Sequence, residues 1–110
     1  MIALEVTPHE VKSSLKEPQK GVLIDVREPQ EYAIARIEGA ELIPMQSVPA
    51  QLQRLEAMAD QGPLLIYCHH GARSLQVANW LRQQGIENVA SMAGGIDRWS
   101  LEIDPNVPRY

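Results

Sequence analysis

The stretch Gly62-Pro63-Leu64-Leu65-Ile66-Tyr67-Cys68-His69-His70-Gly71-Ala72-Arg73-Ser74 decides the fold. Gly62-Pro63 breaks the chain, and Leu64 to Tyr67 follows as an apolar run without alternation. Such a run suits a strand covered on both faces, as at the centre of a parallel sheet. Cys68 to Arg73 reads as a loop. Ser74 to Gln84 reads as a helix with Val77, Ala78 and Leu81 inward, and Gly85 stands where a left-handed C-cap belongs. A nucleophilic residue type therefore sits where a central strand hands over to a helix. In open α/β sheets, binding sites lie at that carboxyl end of the strands.

The same alternation extends in both directions. Upstream, Ile2 to Val6 is a short strand. Thr7-Pro8-His9-Glu10 is a capping box opening a helix to about Lys16, with Val11 and Leu15 inward. Gly21 to Val26 is a second strand, and Pro29 to Ala35 a short helix placing Tyr32 and Ile34 near the core. Glu41-Leu42-Ile43 is a brief strand stopped by Pro44. Ser47 caps a helix over Pro49 to Asp60 that buries Leu52, Leu55, Met58 and Ala59 at helical spacing. Downstream, Asn88 to Met92 is the last strand, followed by Gly94-Gly95 and a short helix through Trp99. Strands alternating with helices predict one α/β domain, a parallel sheet with helices on both faces. Residues 1–100 read as the domain and 101–110 as a C-terminal tail packing on it.

The chain has 110 residues, enough for one domain. Hydrophobic residues make up 45% and charged ones 22%, which excludes a disordered chain. Fourteen acids against ten bases give a net charge of −4, which argues against nucleic-acid binding. A small anionic substrate stays open, because a local cluster of donors can oppose the global sign. The single cysteine rules out an internal disulfide and reads as cytoplasmic. Met1-Ile2-Ala3-Leu4-Glu5 lacks the basic region of a secretory signal, and no apolar run approaches the ~20 residues of a membrane helix. No cofactor is implied, and the oligomeric state is left open.

The chemistry gathers in Cys68 to Ser74. A thiolate is the reactive form of cysteine, and three features favour it here. Cys68 stands just before a helix, whose unpaired N–H groups and positive dipole end face it. Gly71 lets the backbone curl so that successive N–H groups converge into an anion-binding nest. Arg73 brings a permanent cation whose planar fork fits a tetrahedral oxyanion. His69 and His70 add charge below neutrality or donate hydrogen bonds. The plainer alternatives are a small buried hydrophobe for Cys68, exposed loop side chains for the two histidines and a surface salt bridge for Arg73. Adjacent residues rarely aim at one ion, so Cys68, His69 and His70 do not read as a metal site.

Four stretches in order resemble the rhodanese-like (sulfurtransferase) domain over nearly the whole chain. They are Leu23-Ile24-Asp25-Val26-Arg27-Glu28-Pro29-Gln30-Glu31-Tyr32, Ile37-Glu38-Gly39-Ala40, Ile66 to Ser74, and Met92-Ala93-Gly94-Gly95-Ile96-Asp97-Arg98-Trp99. The resemblance implies a five-stranded parallel sheet between helices. It implies that Cys68 carries sulfane sulfur as a persulfide, with His69, His70, Gly71, Ala72, Arg73 and Ser74 cradling the outer sulfur. It further implies a small sulfur-containing anion such as thiosulfate as donor, and a thiol or protein acceptor. Four residues separate Cys68 from Arg73, where related phosphatase folds have five. The tighter ring argues against phosphate monoesters, although a phosphatase or arsenate reductase is the more distant alternative. The nearer alternative is a persulfide carrier or docking module serving a partner enzyme. Asp25 and Arg27 read first as a scaffold ion pair and second as ties between loops beside the site. Gly39, Gly94-Gly95 and Trp99 read as structural. Arg36 and Met92 depart from the histidine and leucine common in the family. The tail from Leu101 to Tyr110 is similar to the ending of such domains fused to adenylating enzymes, and reads as a strap over the core.

Overall fold

The computed structural model of the chain describes residues 2–18 and 20–110. Five strands, β1 (Glu5–Val6), β2 (Val22–Asp25), β3 (Glu41–Leu42), β4 (Leu64–Tyr67) and β5 (Val89–Met92), form one sheet in the order β1-β5-β4-β2-β3. Every pairing is parallel. The expected apolar run is therefore the middle strand. Its register sets Ile66 beside Ile24 on one side and Ser91 on the other.

The side chains of β4 divide between the two faces, as the period of two requires. Leu64, Ile66 and Cys68 pack with Leu55, Val77, Ala78 and Leu81 from α3 (Leu52–Ala59) and α4 (Ala72–Gln83). Leu65 and Tyr67 pack on the other face with Val11, Ile96 and Trp99 from α1 (Pro8–Ser14) and α5 (Gly95–Glu102). Ile66 is fully buried. Removing a side chain of that size from water contributes about 1.5–3 kcal/mol, which explains why both faces need helical cover. Among the described residues no helix is long and apolar enough to cross a membrane.

Local signals act as expected at several points. Thr7 Oγ1 accepts from Glu10 N at 3.1 Å while Glu10 Oε1 accepts from Thr7 N at 2.9 Å, closing the capping box of α1. Gly85, at φ +98°, ends the chain's run through α4 in the left-handed region. Elsewhere the structure differs. β1 keeps only Glu5–Val6 of its expected span. α2 (Pro29–Ile34) buries no residue, and Ile34 is 53% exposed, because Ala35 and Ile37 take the inward positions just beyond it. Ser47 caps nothing. It lies inside the first of two 3-10 turns, Met45–Ser47 and Pro49–Gln51, and α3 starts only at Leu52. The intervening Val48 is the apolar anchor, 2% exposed. α4 begins at Ala72, two residues early, so Arg73 belongs to its first turn rather than to the loop. α5 continues through Glu102, so irregular chain begins at Ile103.

Candidate active site

The site lies at the carboxyl end of β4, at the centre of the sheet. Cys68 is 1% exposed, and its sulfur meets the loop from below. Gly71 N donates to Sγ at 3.1 Å and Ser74 N at 3.3 Å. The thiol in turn donates to Ser74 Oγ at 3.4 Å. Ala72 and Arg73 lie in the first turn of α4, where amides have no intrahelical acceptor. Among the described residues neither amide bonds to another part of the chain. Two backbone donors thus engage the sulfur, and the amides of Ala72 and Arg73 lie between them in sequence.

The loop presents N–H groups inward because its carbonyls are taken elsewhere. Cys68 O accepts from Ile96 N at 2.9 Å and His69 O from Asp97 N at 3.2 Å, so these carbonyls cap the start of α5. That approach requires Gly95. At φ +62° its Cβ would lie 2.5 Å from Cys68 O and 2.4 Å from His69 O. Gly71, at φ +108°, supplies the left-handed residue from which α4 departs. The glycines thus have distinct jobs: Gly71 turns the loop, and Gly95 lets the loop rest on the next helix.

Beneath the sulfur is a hydroxyl pair. Ser74 Oγ lies 2.7 Å from Ser91 Oγ and donates to Gly71 O at 3.2 Å. Both serines are fully buried. Ser91 comes from β5, and no motif pointed to it. The available signal was one polar residue inside the buried strand Val89-Ala90-Ser91-Met92.

Arg73 forms the salt bridge given as its plainer reading. Its Nη1 and Nη2 donate to Glu31 Oε1 at 2.7 Å and Oε2 at 3.0 Å, a two-pronged pair with Arg73 34% and Glu31 17% exposed. The fork is therefore directed at Glu31 rather than opened toward the loop. The Arg73 guanidinium, ahead of the cap bond from Glu28 N, holds the Glu31 carboxyl down at about 2 against its ordinary 4.5. Glu31 in return raises Arg73.

Asp25 and Arg27 form a fully buried ion pair, with Nε to Oδ1 at 2.9 Å and Nη2 to Oδ2 at 2.7 Å. Arg27 also donates to Ala35 O at 2.6 Å and to the Tyr110 hydroxyl at 2.6 Å. Both sequence readings therefore hold at once: the scaffold pair is also the tie between α2 and the last residues. Burial works against its charge, but the bonds to Asp25 and Tyr110 outweigh burial and raise the guanidinium above its ordinary value.

His69 is half-buried and His70 exposed. Their rings stack at 3.9 Å and 24°, and the Tyr110 ring stacks on His69 at 3.9 Å and 6°. His69 is thus the middle ring of three. Burial first, then neighbouring His70, keeps it below its ordinary value. His69, His70 and Asp97 bring ligand-type atoms within 4.8 Å of one another. They do not fit a metal ion, because stacked rings aim their in-plane lone pairs side by side. Asp97 is also held by Arg109 Nε at 2.8 Å. Neither Tyr110 nor Arg109 was singled out from the sequence, since contacts across that separation leave no local pattern.

Comparisons with known proteins place the chain in a family. The chain is 36% identical to thiosulfate sulfurtransferase GlpE of Haemophilus influenzae, over 91% of this chain and 93% of that protein. It is 35% identical to Rhodanese-like/PpiC domain-containing protein 12 of Arabidopsis thaliana, over 96% of this chain but only 37% of that protein. It also spans about a quarter, 26%, of the adenylyltransferase/sulfurtransferase MoeZ of Mycobacterium tuberculosis, at 30% identity. Among solved structures, the human single-domain sulfurtransferase TSTD1 superposes with a TM-score of 0.80 at 27% identity, over 92% of this chain and 98% of that one. A rhodanese-related protein from Thermoplasma volcanium gives 0.81 at 27% identity, over 98% and 100%. The Rhodanese-like domain profile itself matches residues 7–102, from the capping threonine of α1 to the last residue of α5. With the profile spanning the cysteine loop and every strand but the first, the chain belongs to the rhodanese-like domain family.

Proposed function

We propose that the protein is a sulfurtransferase that moves sulfane sulfur from a donor such as thiosulfate to a thiophilic acceptor through a persulfide on Cys68. The supporting observation is the ring of amides: Gly71 N and Ser74 N on Sγ, with those of Ala72 and Arg73 beside them. The Cys68 thiolate attacks the outer sulfur of thiosulfate. The S–S bond of the donor breaks, sulfite leaves with the electron pair, and Cys68 holds a persulfide anion. The acceptor, cyanide in an assay or a thiolate, then attacks the outer sulfur and Cys68 thiolate is restored. Dividing the transfer into two displacements lowers each barrier. Preformed N–H donors stabilise the charge on the outer sulfur without reorganising.

GlpE and TSTD1, whose names state sulfur transfer, support the reaction class. MoeZ, named for both adenylyl and sulfur transfer, supports a second reading in which Cys68 is a carrier serving a partner enzyme. Intact-protein mass spectrometry after mixing with thiosulfate tests both. A gain of one sulfur atom, reversed by cyanide and absent in Cys68→Ser, is the expected result. No gain in the wild type refutes the proposal. A stable gain with slow turnover selects the carrier. Release of phosphate from an aryl ester instead would select the phosphatase reading that the four-residue spacing disfavours.

A further inference from the structure

Tyr110 is joined to both ends of the loop while lying outside it. Its ring covers one face of His69, the residue after Cys68. Its hydroxyl donates to Glu31 Oε2 at 2.8 Å and accepts from Arg27 Nη1 at 2.6 Å. Arg27 is fully buried and paired with Asp25 at the end of β2. Glu31 is the carboxylate that grips Arg73 in the first turn of α4. A continuous path therefore runs from the sheet through one phenol to His69, next to Cys68, and to Arg73, next to the donor Ser74.

The segment that delivers Tyr110 is lightly attached. Ile103 N and Asp104 N bond to Trp99 O, Val107 packs at the edge of the α1/α5 core, and Arg109 pairs with Asp97 in an exposed position. Tyr110 itself is 38% exposed. Its hydroxyl is satisfied on both sides, while His69 Nε2 is buried without a partner. That imidazole is held by the stacked rings of His70 and Tyr110 and by the backbone of Tyr110. A loop whose amides must converge on one atom depends on its weakest-held member.

We propose that Tyr110 is a positioning residue for the Cys68 loop, its ring fixing His69 and its hydroxyl fixing Arg73 through Glu31. The effect on turnover rests on the sulfur-transfer reading; the effect on thiol reactivity does not. Two variants separate the two functions of the side chain. Y110F keeps the ring and removes the hydroxyl, and Y110A removes both.

Three readouts apply to each variant: the maximal rate and half-saturating thiosulfate concentration of persulfide loading, the rate of Cys68 alkylation by iodoacetamide, and the NMR shifts of the His69 ring protons. Y110F should leave the ring shifts in place and slow maximal loading about threefold. Y110A should move the His69 protons downfield as the overlying ring current disappears. It should also slow loading about tenfold at nearly unchanged half-saturation, and change the alkylation rate in the same experiment. Wild-type loading and alkylation in Y110A overturn the proposal, as do wild-type values of both in Y110F for its hydroxyl part. A wild-type protein that never gains sulfur defeats the sulfur-transfer reading alone, and the alkylation and NMR measurements still decide the role of Tyr110.

Discussion

Glu31→Gln is the substitution whose consequence follows most directly from the geometry. Gln keeps an oxygen to accept from Glu28 N, so the cap of α2 survives. What disappears is the charge opposite Arg73, together with the Oε2 acceptor of Arg73 Nη2 and the Tyr110 hydroxyl. The folded carboxyl titrates at about 2 against 4.5 ordinarily. At about 1.4 kcal/mol for each pH unit, the difference amounts to about 3 kcal/mol. Solvent at the pair, 34% and 17% exposed, reduces this to about 1–2 kcal/mol. Because the folded value is depressed, the contribution is complete above 4.5 and is lost as pH falls through about 2. E31Q should therefore unfold about 1–2 kcal/mol more easily than the wild type at pH 7. For a chain of 110 residues that corresponds to a Tm lowered by about 4–9 °C. The gap should narrow as pH falls from 4.5 through about 2, as Glu31 takes up its proton and becomes neutral like Gln. Urea titrations of both proteins across that window provide the assay. A gap that stays constant with pH, or no gap at pH 7, refutes the assignment of Glu31 as the charged partner of Arg73.

Three further substitutions test other parts of the site. Ser91→Ala leaves Ser74 Oγ without its 2.7 Å partner, and should cost about 1 kcal/mol in chemical denaturation and slow persulfide loading several-fold. Equal loading rates would detach Ser91 from the loop. Asp25→Asn leaves a buried guanidinium without its counter-charge, and should cost about 3–5 kcal/mol, read as a sharp drop in the urea midpoint. A midpoint near that of the wild type would show that Arg27 is held by its carbonyl and phenol contacts alone. Gly95→Ala places a methyl against Cys68 O and His69 O at a left-handed φ, so the loop must move. Wild-type loading in that variant, followed by mass spectrometry, would contradict the fit of loop to α5.

Where one local cause dominates, the sequence was sufficient. β4 matches its expected bounds because Gly62-Pro63 ends the chain before it and Cys68 opens a polar loop after it. Thr7 and Glu10 mark the start of α1 because a capping box is written within four residues. The start of α4 differs from its expected place because Ala72 and Arg73 carry no capping side chain; the left-handed Gly71 ends the loop instead. Ile34 looked inward because a short helix with apolar residues resembles a buried one. Its position is set by polar bonds, the Glu28–Glu31 cap and Arg73, rather than by an apolar face. In the site, the Cys68 loop was legible as a run. The partners that fix it were not: Glu31 appeared only within a family stretch, and Ser91 and Tyr110 arrive from other strands and segments. The Arg27–Tyr110 bond spans 83 residues, a separation that only the folded sheet closes.

Cys68 is the one thiol in 110 residues. If the chain transfers sulfur, its occupancy is binary, empty or full. The sulfite freed before any acceptor is added then counts competent molecules one for one, a direct titration of active protein. With no second thiol in the sequence to relieve a full chain, its storage lifetime is set by how thoroughly the amide ring keeps out solvent and stray nucleophiles.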